Sequence, residues 1–448
     1  MAVADTRKFA VLVDGRQFEL DRWFLASNSE YFRALFDSGM RESQGVGMEL
    51  LEVTEQGFSA MLDVLYRCYP KIVEGNLEDV VHAASFLQVK ALVEYLTFIL
   101  SSDNCVDMLI TANVYGVFEL KNAAAMFIKN VIKNRRVSQD LMRLSPELMT
   151  FIRQLKPERF AAVASYCPST PFLEDHARAV YALDEERNDW HLLTRLPPAA
   201  STALAGVAVL GGRLYIVGGI QSPKNQPVEE TFRFDPQKDS WEVLNGLHQP
   251  RYNLSLLPYG NSLLAIGGRY GHQQLTTVEC FQESSATWSF CPELPRAAAG
   301  AACATAMGRA FVALWKPLDV TTIYEFTVTC GGWGIVSTLS RSQSYGHCML
   351  GHRHTLFLIR NGPSDDFLHC EIDSFCLATG VWTTLRGQYI NGKGALFAAT
   401  IKGDYVYAVN RVMTLPYAIE STHWMPLPAL AGFPRGGTIH SFVLHSPV

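Results

Sequence analysis

Four side chains within eight residues have the chemistry of metal ligands: His347, Cys348, His352 and His354. The local pattern places them on one strand and the turn that follows it, so their side chains should diverge. No C-x-x-C pair and no zinc-finger spacing occurs in the sequence. We therefore predict no metal site and no cofactor.

A second pattern has the spacing of a nucleotide-binding loop. Gly387 and Gly392-Lys393 give G-x-x-x-x-G-K, but glycine follows where that motif requires Ser or Thr. The loop also joins two predicted strands, 382–385 and 395–401, so no helix N-terminus would present amides to a phosphate. The nucleophile elbow G-x-S-x-G is absent. These observations predict a protein that is not an enzyme.

One short motif favours protein binding instead. Ser27 and Glu30 have the spacing of a capping box, the apolar residues that follow recur at helical spacing, and Gly39 supplies a helix stop. Met40 and Glu42 come directly after that stop, so an apolar side chain and a carboxylate should lie in an exposed loop. Burying the methionine against a partner would contribute about 1.5–3 kcal/mol.

The C-terminal half is a repeat of short predicted strands. A tryptophan recurs after a polar turn at intervals of about 40–50 residues, the period of a β-propeller blade. The six are Trp190, Trp241, Trp288, Trp333, Trp382 and Trp424. Each is expected to begin an outer strand and to pack against the neighbouring blade.

The most regular repeat is the stretch 206–241, in which two apolar runs are joined by Gly211-Gly212 and the second run ends on Gly218-Gly219. At the end of the second run, a double glycine recurs only as Gly267-Gly268. Other residue pairs stand in its place in the later repeats: Leu314-Trp315, Arg360-Asn361 and Asn410-Arg411.

Six tryptophans but five complete sets of strands predict a propeller closed by both of its ends. Residues 178–193 would supply an outer hairpin, and residues 438–444 would supply the missing inner strand. Pairing the two ends removes the free edges that a propeller cannot leave open. We expect six blades, with five as the alternative.

Arginine and aromatic residues recur at two positions of the repeat. The loop entering a blade's first strand and the loop leaving its second strand lie on the same face, so these residues should rim one mouth of the propeller. Such a rim suits an acidic or aromatic peptide. The candidates are Arg251, Tyr252, Arg269, Tyr270, Arg296, Arg341, Arg360, Asn361, Asn410, Arg411 and Arg435.

The N-terminal segment 7–102 resembles a BTB (POZ) domain in its Asp14-Gly15 hairpin, its run F-E-L-D-R-W-F-L-A-S-N-S-E-Y-F and the following G-M-R-E-S. The resemblance implies an α/β homodimer and, at Met40-x-Glu42, contact with cullin-3. Asp21 departs from the pattern, since most members have histidine there.

The rest of the chain completes the resemblance to the BTB–BACK–kelch family. Segment 103–165 is expected to be helical throughout and, with its Asn104-Cys105 start, resembles a shortened all-α BACK domain. Segment 166–177 is the predicted linker, and 178–445 resembles an all-β kelch propeller.

The resemblance implies a non-catalytic substrate-recognition adaptor of a cullin-3 RING E3 ubiquitin ligase, dimeric through BTB, whose propeller captures a protein substrate. The alternative is a scaffold that binds actin or an actin-associated protein, as several family members do in striated muscle, without ubiquitin transfer. A BTB transcription factor would need zinc fingers, which are missing.

Composition excludes other partners and sets the expected compartment. The formal net charge of −5 gives no electrostatic reason to expect nucleic acid or an anionic membrane. No apolar run is long enough for a signal peptide or a membrane span. Ten cysteines without a secretory signal indicate reduced thiols. We expect a cytoplasmic protein, with cytoskeletal association as a further option.

Overall fold

A computed structural model divides the chain into two compact units, residues 1–155 and 156–448. It describes residues 8–39, 45–131, 140–155, 158–164, 179–184, 187, 189–197, 199–200, 203–221, 226–316, 320–327, 331–340, 345–361, 369–385, 389–390, 398–409, 413–419, 422–424, 430–431 and 439–444.

The first unit is an α/β domain with a three-stranded sheet of order β2-β1-β3. β1 (Lys8–Val13) and β2 (Arg16–Asp21) form the predicted hairpin, and β3 (Gly47–Glu49) runs parallel to β1. Positive φ angles at Asp14 and Gly15 close the two-residue turn. Apolar residues alternate along β1, and those that face the core are fully buried.

Helices supply the rest of this unit. Those described are α1 (Arg22–Asn28), α2 (Glu30–Asp37), α3 (Glu55–Leu65), α4 (Glu74–Phe86), α5 (Lys90–Phe98), α6 (Cys105–Val114), α7 (Phe118–Val131) and α8 (Pro146–Gln154), with a 3-10 turn at Leu141–Arg143.

The predicted Ser27–Glu30 capping box is wrong, because Ser27 lies inside α1. Ser29 caps α2 instead: its Oγ accepts the N–H of Phe32 at 3.2 Å and donates to the carbonyl of Leu87 at 2.6 Å. Asp21 caps α1 by accepting the N–H of Phe24 at 3.0 Å. The residue that departs from the family pattern therefore has a structural role here.

The second unit is built on six antiparallel sheets, each with a path of four successive strands, which we call blades I to VI and give from the inner to the outer strand. Blade VI combines the end of the unit with its beginning: β33 (Ile439–Leu444), β4 (Arg159–Ala164), β5 (Ala179–Asp184) and β6 (Asp189–Arg195).

The other five blades follow in chain order. Blade I is β7 (Gly206–Leu210), β8 (Arg213–Val217), β11 (Thr231–Asp235) and β12 (Ser240–Leu244); blade II is β13 (Ser255–Tyr259), β14 (Ser262–Ile266), β17 (Val278–Gln282) and β18 (Thr287–Cys291). Blade III is β19 (Ala302–Ala306), β20 (Arg309–Lys316), β21 (Val320–Thr327) and β22 (Gly332–Ser340); blade IV is β23 (Tyr345–His352), β24 (Thr355–Asn361), β25 (His369–Cys376) and β26 (Trp382–Thr384). Blade V is β28 (Ala398–Lys402), β29 (Tyr405–Val409), β30 (Met413–Ala418) and β31 (His423–Trp424).

Short strands decorate four of these blades. β9 (Ile220–Gln221) pairs with β10 (Gln226–Pro227) beside blade I, and β15 (Arg269–Tyr270) pairs with β16 (Gln273–Gln274) beside blade II. β27 (Tyr389–Ile390) pairs with β25, and β32 (Leu430–Ala431) pairs with β30.

The blades form a closed ring. Each inner strand contacts the inner strand of the next blade in the order β7, β13, β19, β23, β28, β33, and β33 returns to β7. A buried apolar cluster fills each of the six interfaces between neighbouring blades. The predicted six-bladed propeller closed by both ends is confirmed.

The closing blade begins earlier in the chain than predicted. The helical region of the first unit ends at Gln154, and Arg159–Ala164 is the second strand of blade VI. The expectation of a helical segment extending to 165 is therefore wrong at its C-terminal end. Val163 and its neighbours read as a short apolar run, which periodicity alone does not assign to helix or strand.

All six predicted tryptophans lie in outer strands, as expected. Several donate an indole N–H to the preceding blade, which ties neighbouring blades together. Trp241 donates to Thr194 Oγ1 at 3.3 Å, and Trp382 donates to Ser337 Oγ at 2.8 Å. Trp288 donates both to Thr231 Oγ1 and to a backbone carbonyl.

Candidate partner-binding sites

Loops of blade II bring three predicted rim residues together on one face of the propeller. Tyr252 lies in the loop entering β13, and Arg269 and Tyr270 follow β14. Tyr252 and Arg269 exchange backbone hydrogen bonds of 3.0 and 2.7 Å, and the Tyr252 hydroxyl donates to the carbonyl of Gly271 at 2.5 Å. This confirms that the two loop types meet on one face.

The side chains of this cluster are available to a partner. Tyr270 is 53% exposed and Arg269 is half-buried. Among the residues that the structure describes, the Arg269 guanidinium has no hydrogen-bond or ion-pair partner, so its charge is available for a carboxylate. A cation beside a tyrosine is a combination typical of binding hot spots.

The double glycine explains how these loops approach each other. Gly267 and Gly268 have φ angles of +58° and +103°, which L side chains rarely adopt. A Cβ at Gly267 would meet the carbonyl oxygen of Ala298 in the loop entering blade III. The N–H of Gly268 donates to that carbonyl at 2.8 Å. Blade I repeats this contact between Gly219 and the carbonyl of Arg251 at 2.9 Å.

Arg296 and Trp315 extend the surface toward blade III. Arg296 lies in the loop entering β19, and its guanidinium donates to the backbone carbonyl of Trp315. The Trp315 side chain is 40% exposed. Trp315 was noted in the sequence only as a replacement for glycine and was missed as a candidate contact. Its signal was a large apolar residue in place of the second glycine, where nothing in a regular blade would cover it.

The prediction that Arg251 is a contact residue of the rim is wrong, because its side chain is fully buried. Its guanidinium donates to Glu279 Oε1 at 2.6 Å and to the carbonyls of Gly267 and Thr277 at 3.0 and 2.9 Å. Glu279 also accepts the backbone N–H of His248 at 2.8 Å. Burial lowers the pKa of Arg251, and the Glu279 carboxylate opposes that shift. This arginine anchors the loop beneath the rim.

Arg360 is likewise a structural residue and not an exposed contact, since only 4% of it is accessible. It donates to Asp373 Oδ2 at 3.0 Å and forms an ion pair with Glu371. Both carboxylates come from β25, the next strand of the same blade. The sequence signal that was missed is an acidic residue two positions before a phenylalanine, as in E-C-F and D-S-F.

Several candidates are only partly covered or lie outside the described residues. Asn361 ends β24, and its side chain is not among those described. The cullin motif and four of the rim candidates fall outside the described ranges: Met40, Glu42, Arg341, Asn410, Arg411 and Arg435.

The residues that have the chemistry of metal ligands lie along blade IV. Cys348 and His352 both lie in β23, and His354 follows in the turn. Cys348 Sγ donates to the carbonyl of Ala399 in blade V, whereas His352 Nε2 lies 3.7 Å from Asp404 Oδ1. Burial lowers the pKa of His352 to about 3, so the ring is neutral. Within the described residues, no three His, Cys, Asp or Glu side chains are placed to hold a metal.

The first unit exposes large apolar side chains around its sheet and first helix. Trp23 of α1 is 78% exposed, and Val46 and Leu51 on either side of β3 are 79% and 81% exposed. Water-facing tryptophan and leucine at this density are typical of a surface that another protein covers. None of the described helices is long and apolar enough to cross a membrane.

Comparison with known proteins gives the same two-part organisation. The pattern that defines the BTB/POZ domain matches residues 8–104, and the kelch motif matches residues 201–248 and 250–295. Kelch repeat and BTB domain-containing protein 13 of Homo sapiens is 44% identical over 98% of this chain and 95% of its own length. The Mus musculus protein of that name is 42% identical over the same shares. The chain belongs to the BTB–kelch family.

More distant members of the BTB–kelch family share only part of the chain. Kelch-like protein 13 of Bos taurus is 25% identical over 59% of this chain and 54% of its own length. The kelch motif itself matches only blades I and II, which are the two blades with a double glycine. The other four blades are recognised by their strand order and tryptophans.

Proposed function

We propose that this chain is a substrate-recognition adaptor of a cullin-3 RING E3 ubiquitin ligase. The observation that carries the proposal is the combination, in one BTB–kelch chain, of a BTB unit and a closed propeller with an exposed arginine–aromatic cluster. The first unit would bind cullin-3 through Met40 and Glu42, which follow the capped helix α2. An adaptor of this kind needs no reactive residue, because it places a substrate close to the ubiquitin-charged enzyme.

The exposed apolar residues of the first unit support self-association through the BTB domain. Trp23 lies in α1, Val46 and Leu51 flank β3, and each is at least 78% exposed. Burying one such side chain against a second copy would stabilise a dimer by about 1.5–3 kcal/mol. A dimer would present two propellers to one ligase assembly. The shortened BACK domain would connect the two activities through α6–α8.

Binding of cullin-3 to purified full-length protein tests the first part of the proposal. We expect Met40→Ala/Glu42→Ala to weaken binding at least tenfold, since an apolar contact and an orienting carboxylate are both lost. The matched control is Glu30→Ala, which removes a carboxylate from the exposed start of α2. Equal binding by the double variant and the wild type would refute the cullin assignment.

The substrate-binding part of the proposal rests on Arg269, Tyr270 and Trp315. Proximity labelling in cells with wild-type and Arg269→Glu/Tyr270→Ala chains should show loss of substrate proteins and retention of cullin-3. Arg187→Glu is the control, because Arg187 is 85% exposed in the turn between β5 and β6, at the opposite mouth of the propeller. Unchanged labelling by the rim variant would exclude this sector as the substrate site.

The same cluster leaves one alternative function open to test. Arg269, which has no ion-pair partner among the described residues, lies beside exposed aromatic rings. Such a cluster would also suit actin or an actin-associated protein in striated muscle, and a dimer would then cross-link filaments without ubiquitin transfer. Co-sedimentation of the full-length chain with actin filaments separates the two. Filament binding that survives Met40→Ala/Glu42→Ala and is lost in Arg269→Glu would favour the scaffold.

A further inference from the structure

Two cysteine thiols meet on one face of blade II. Cys280 lies in β17, and Cys291 ends β18, where it pairs with Val278. Because side chains alternate along a strand, Cys280 and Cys291 project from the same face as Val278. That face packs in the apolar cluster between blades II and III. The two thiols are close enough on this face for each to shift the pKa of the other.

Polar groups around Cys280 favour its thiolate. The Gln282 side-chain amide donates to Cys280 Sγ at 3.4 Å, and Ser262 lies beside it. The neighbouring Cys291 thiol has the largest of the effects that lower the pKa of Cys280 to about 7, whereas the Cys280 thiol raises the pKa of Cys291. The directions of the two shifts favour the thiolate at Cys280 over that at Cys291, and the thiolate is the form that reacts with oxidants.

Among the other described cysteines with a shifted pKa, none has a second thiol that lowers it: the pKa of Cys376 is lowered, against the effect of burial, by Thr379 and by backbone amides. Burial raises the pKa of Cys303 to about 12 and that of Cys348 to about 11, so both remain thiols. Cys68 is exposed and has no second thiol beside it in the described part of the chain. Cys280 is 7% exposed, and its partner Cys291 is half-buried, so a small oxidant reaches the pair from the outer edge of the blade.

We propose that Cys280 and Cys291 form a redox modification site at which a hydroperoxide converts the dithiol to a disulfide. The Cys280 thiolate attacks the terminal oxygen of the hydroperoxide, the O–O bond breaks, and the alkoxide leaves and takes a proton. Cys291 then loses its proton and attacks Sγ of the resulting sulfenic acid, and the S–O bond breaks to release water. In total, two thiols lose two electrons, and one hydroperoxide becomes an alcohol and water.

Oxidation of the two cysteines would change the position of a loop at the partner-binding face. Diagonal neighbours on adjacent strands lie roughly 7–8 Å apart, whereas a disulfide spans Cα atoms about 4.4–6.8 Å apart, so β17 and β18 must approach each other. Glu279 lies next to Cys280 and holds both Arg251 and the backbone of His248. The disulfide therefore shifts the carboxylate that anchors the loop beneath Tyr252. The strain also makes the bond easily reduced, so the modification is reversible.

Peptide mapping of the full-length protein treated with hydrogen peroxide tests this site. Both cysteines lie in the tryptic peptide 270–296, so a second cleavage at Glu283 is needed to separate them. We expect the 280–291 disulfide to form before Cys68 is oxidised, at a tenfold lower peroxide concentration. In Cys291→Ser, Cys280 should accumulate as a sulfenic acid that dimedone traps, and Cys68→Ser should behave as the wild type.

Two results would overturn the proposal. One is oxidation of Cys68 while Cys280 and Cys291 stay reduced in the wild type, which needs no variant and is independent of how Cys291→Ser folds. The other is alkylation of Cys280 in the folded chain that shows no rise around pH 7 and is as slow as that of Cys303. The site does not depend on the cullin assignment, since neither measurement involves a partner.

Discussion

Blades II and IV bury a carboxylate at the same place in their third strand but pair it with an arginine from different parts of the chain. Glu279 and Asp373 each lie two residues before the phenylalanine that pairs with the blade's tryptophan, and both are fully buried. In blade II the guanidinium comes from the entering loop, at Arg251. In blade IV it comes from Arg360, which ends the second strand.

The position of Arg360 explains the difference. It follows Ile359, which pairs with Ile372, just as Gly267 follows Ile266, which pairs with Val278. Glycine leaves space there for a loop arginine to reach the carboxylate. Arginine at that position supplies the cation itself, so the entering loop of blade IV is not needed as an anchor.

The same replacement changes the shape of the loops on this face. In blade II the long strand pairing stops at Ile266, and the chain folds over onto Ala298. In blade III the pairing continues to Lys316 opposite Val320, and in blade IV to Asn361 opposite Cys370. Blades III and IV therefore carry longer hairpins than blade II. We infer that the blades with a double glycine have short loops folded against this face, and that the hairpins of blades III and IV extend beyond those loops.

Removing the carboxylate in blade II should have the largest effect. We expect Glu279→Gln to reduce the free energy of unfolding by about 3–5 kcal/mol, because it leaves the charge of Arg251 buried without a partner. Asp373→Asn in blade IV should cost roughly half as much, since Glu371 still pairs with Arg360. Urea denaturation of the full-length proteins measures both.

Equal losses in the two variants would show that the source of the arginine does not matter. Hydrogen exchange at residues 248–252 sharpens the comparison, because only Glu279→Gln should increase exchange in that loop. If Asp373→Asn also increased exchange at residues 248–252, the effect of each buried ion pair would extend beyond its own blade.

The buried histidine in the inner strand of blade VI should have the next largest effect on stability, as a dependence on pH. Inner strands of blades I and II contain no histidine, whereas His440 lies in β33 of blade VI with Nε2 buried and unpartnered among the described residues. Burial lowers the pKa of His440 to about 4. In the unfolded chain this imidazole binds a proton near pH 6.5, whereas in the folded chain it stays neutral down to about pH 4. Stability is therefore lost as the pH falls from about 6.5 to about 4.

His440→Gln should remove this contribution to the pH dependence, worth about 3 kcal/mol at the acidic end. Urea midpoints at pH 7.5 and pH 4.5 give the slope. His352, with a pKa lowered to about 3, adds a slope in the same direction that is at least as large, which His352→Gln removes. A wild-type slope in His440→Gln would mean that this ring is protonated in the folded chain.

The sequence predicted the ring more reliably than the rim. Tryptophan spacing and strand alternation depend on packing between neighbouring blades, which every blade must satisfy, so they identified all six blades. Position along the repeat also placed Tyr252 and Arg269 on one face correctly. It failed at Arg251 and Arg360, because burial of an arginine depends on a carboxylate elsewhere in the blade. The strand Arg159–Ala164 was missed because β33, with which it pairs in blade VI, is distant from it in the sequence.

Adding a side chain to the double glycine tests whether close approach or backbone angle matters. We expect Gly267→Ala to reduce the free energy of unfolding by about 2–3 kcal/mol, from the positive φ and the contact with the Ala298 carbonyl. Gly271→Ala is the matched control, since its φ is +59° but a Cβ there would meet nothing within 4 Å. It should cost about 1 kcal/mol. Thermal or urea unfolding compares the two, and equal costs would exclude the role given to loop contact.

Replacing a tryptophan should give the smallest difference in stability between blade II, which has the double glycine, and blade IV, which does not. Trp288 of blade II donates to Thr231 Oγ1 at 3.1 Å and to the Asn245 carbonyl at 3.0 Å, whereas Trp382 of blade IV donates only to Ser337 among the described residues. Replacing either indole by phenylalanine removes similar apolar area. The excess cost of Trp288→Phe over Trp382→Phe should therefore reflect the second bond, about 1 kcal/mol in urea unfolding. A larger cost for Trp382→Phe would show that the irregular blades depend more on their tryptophans, and that blade II is stabilised mainly by the loops folded over it.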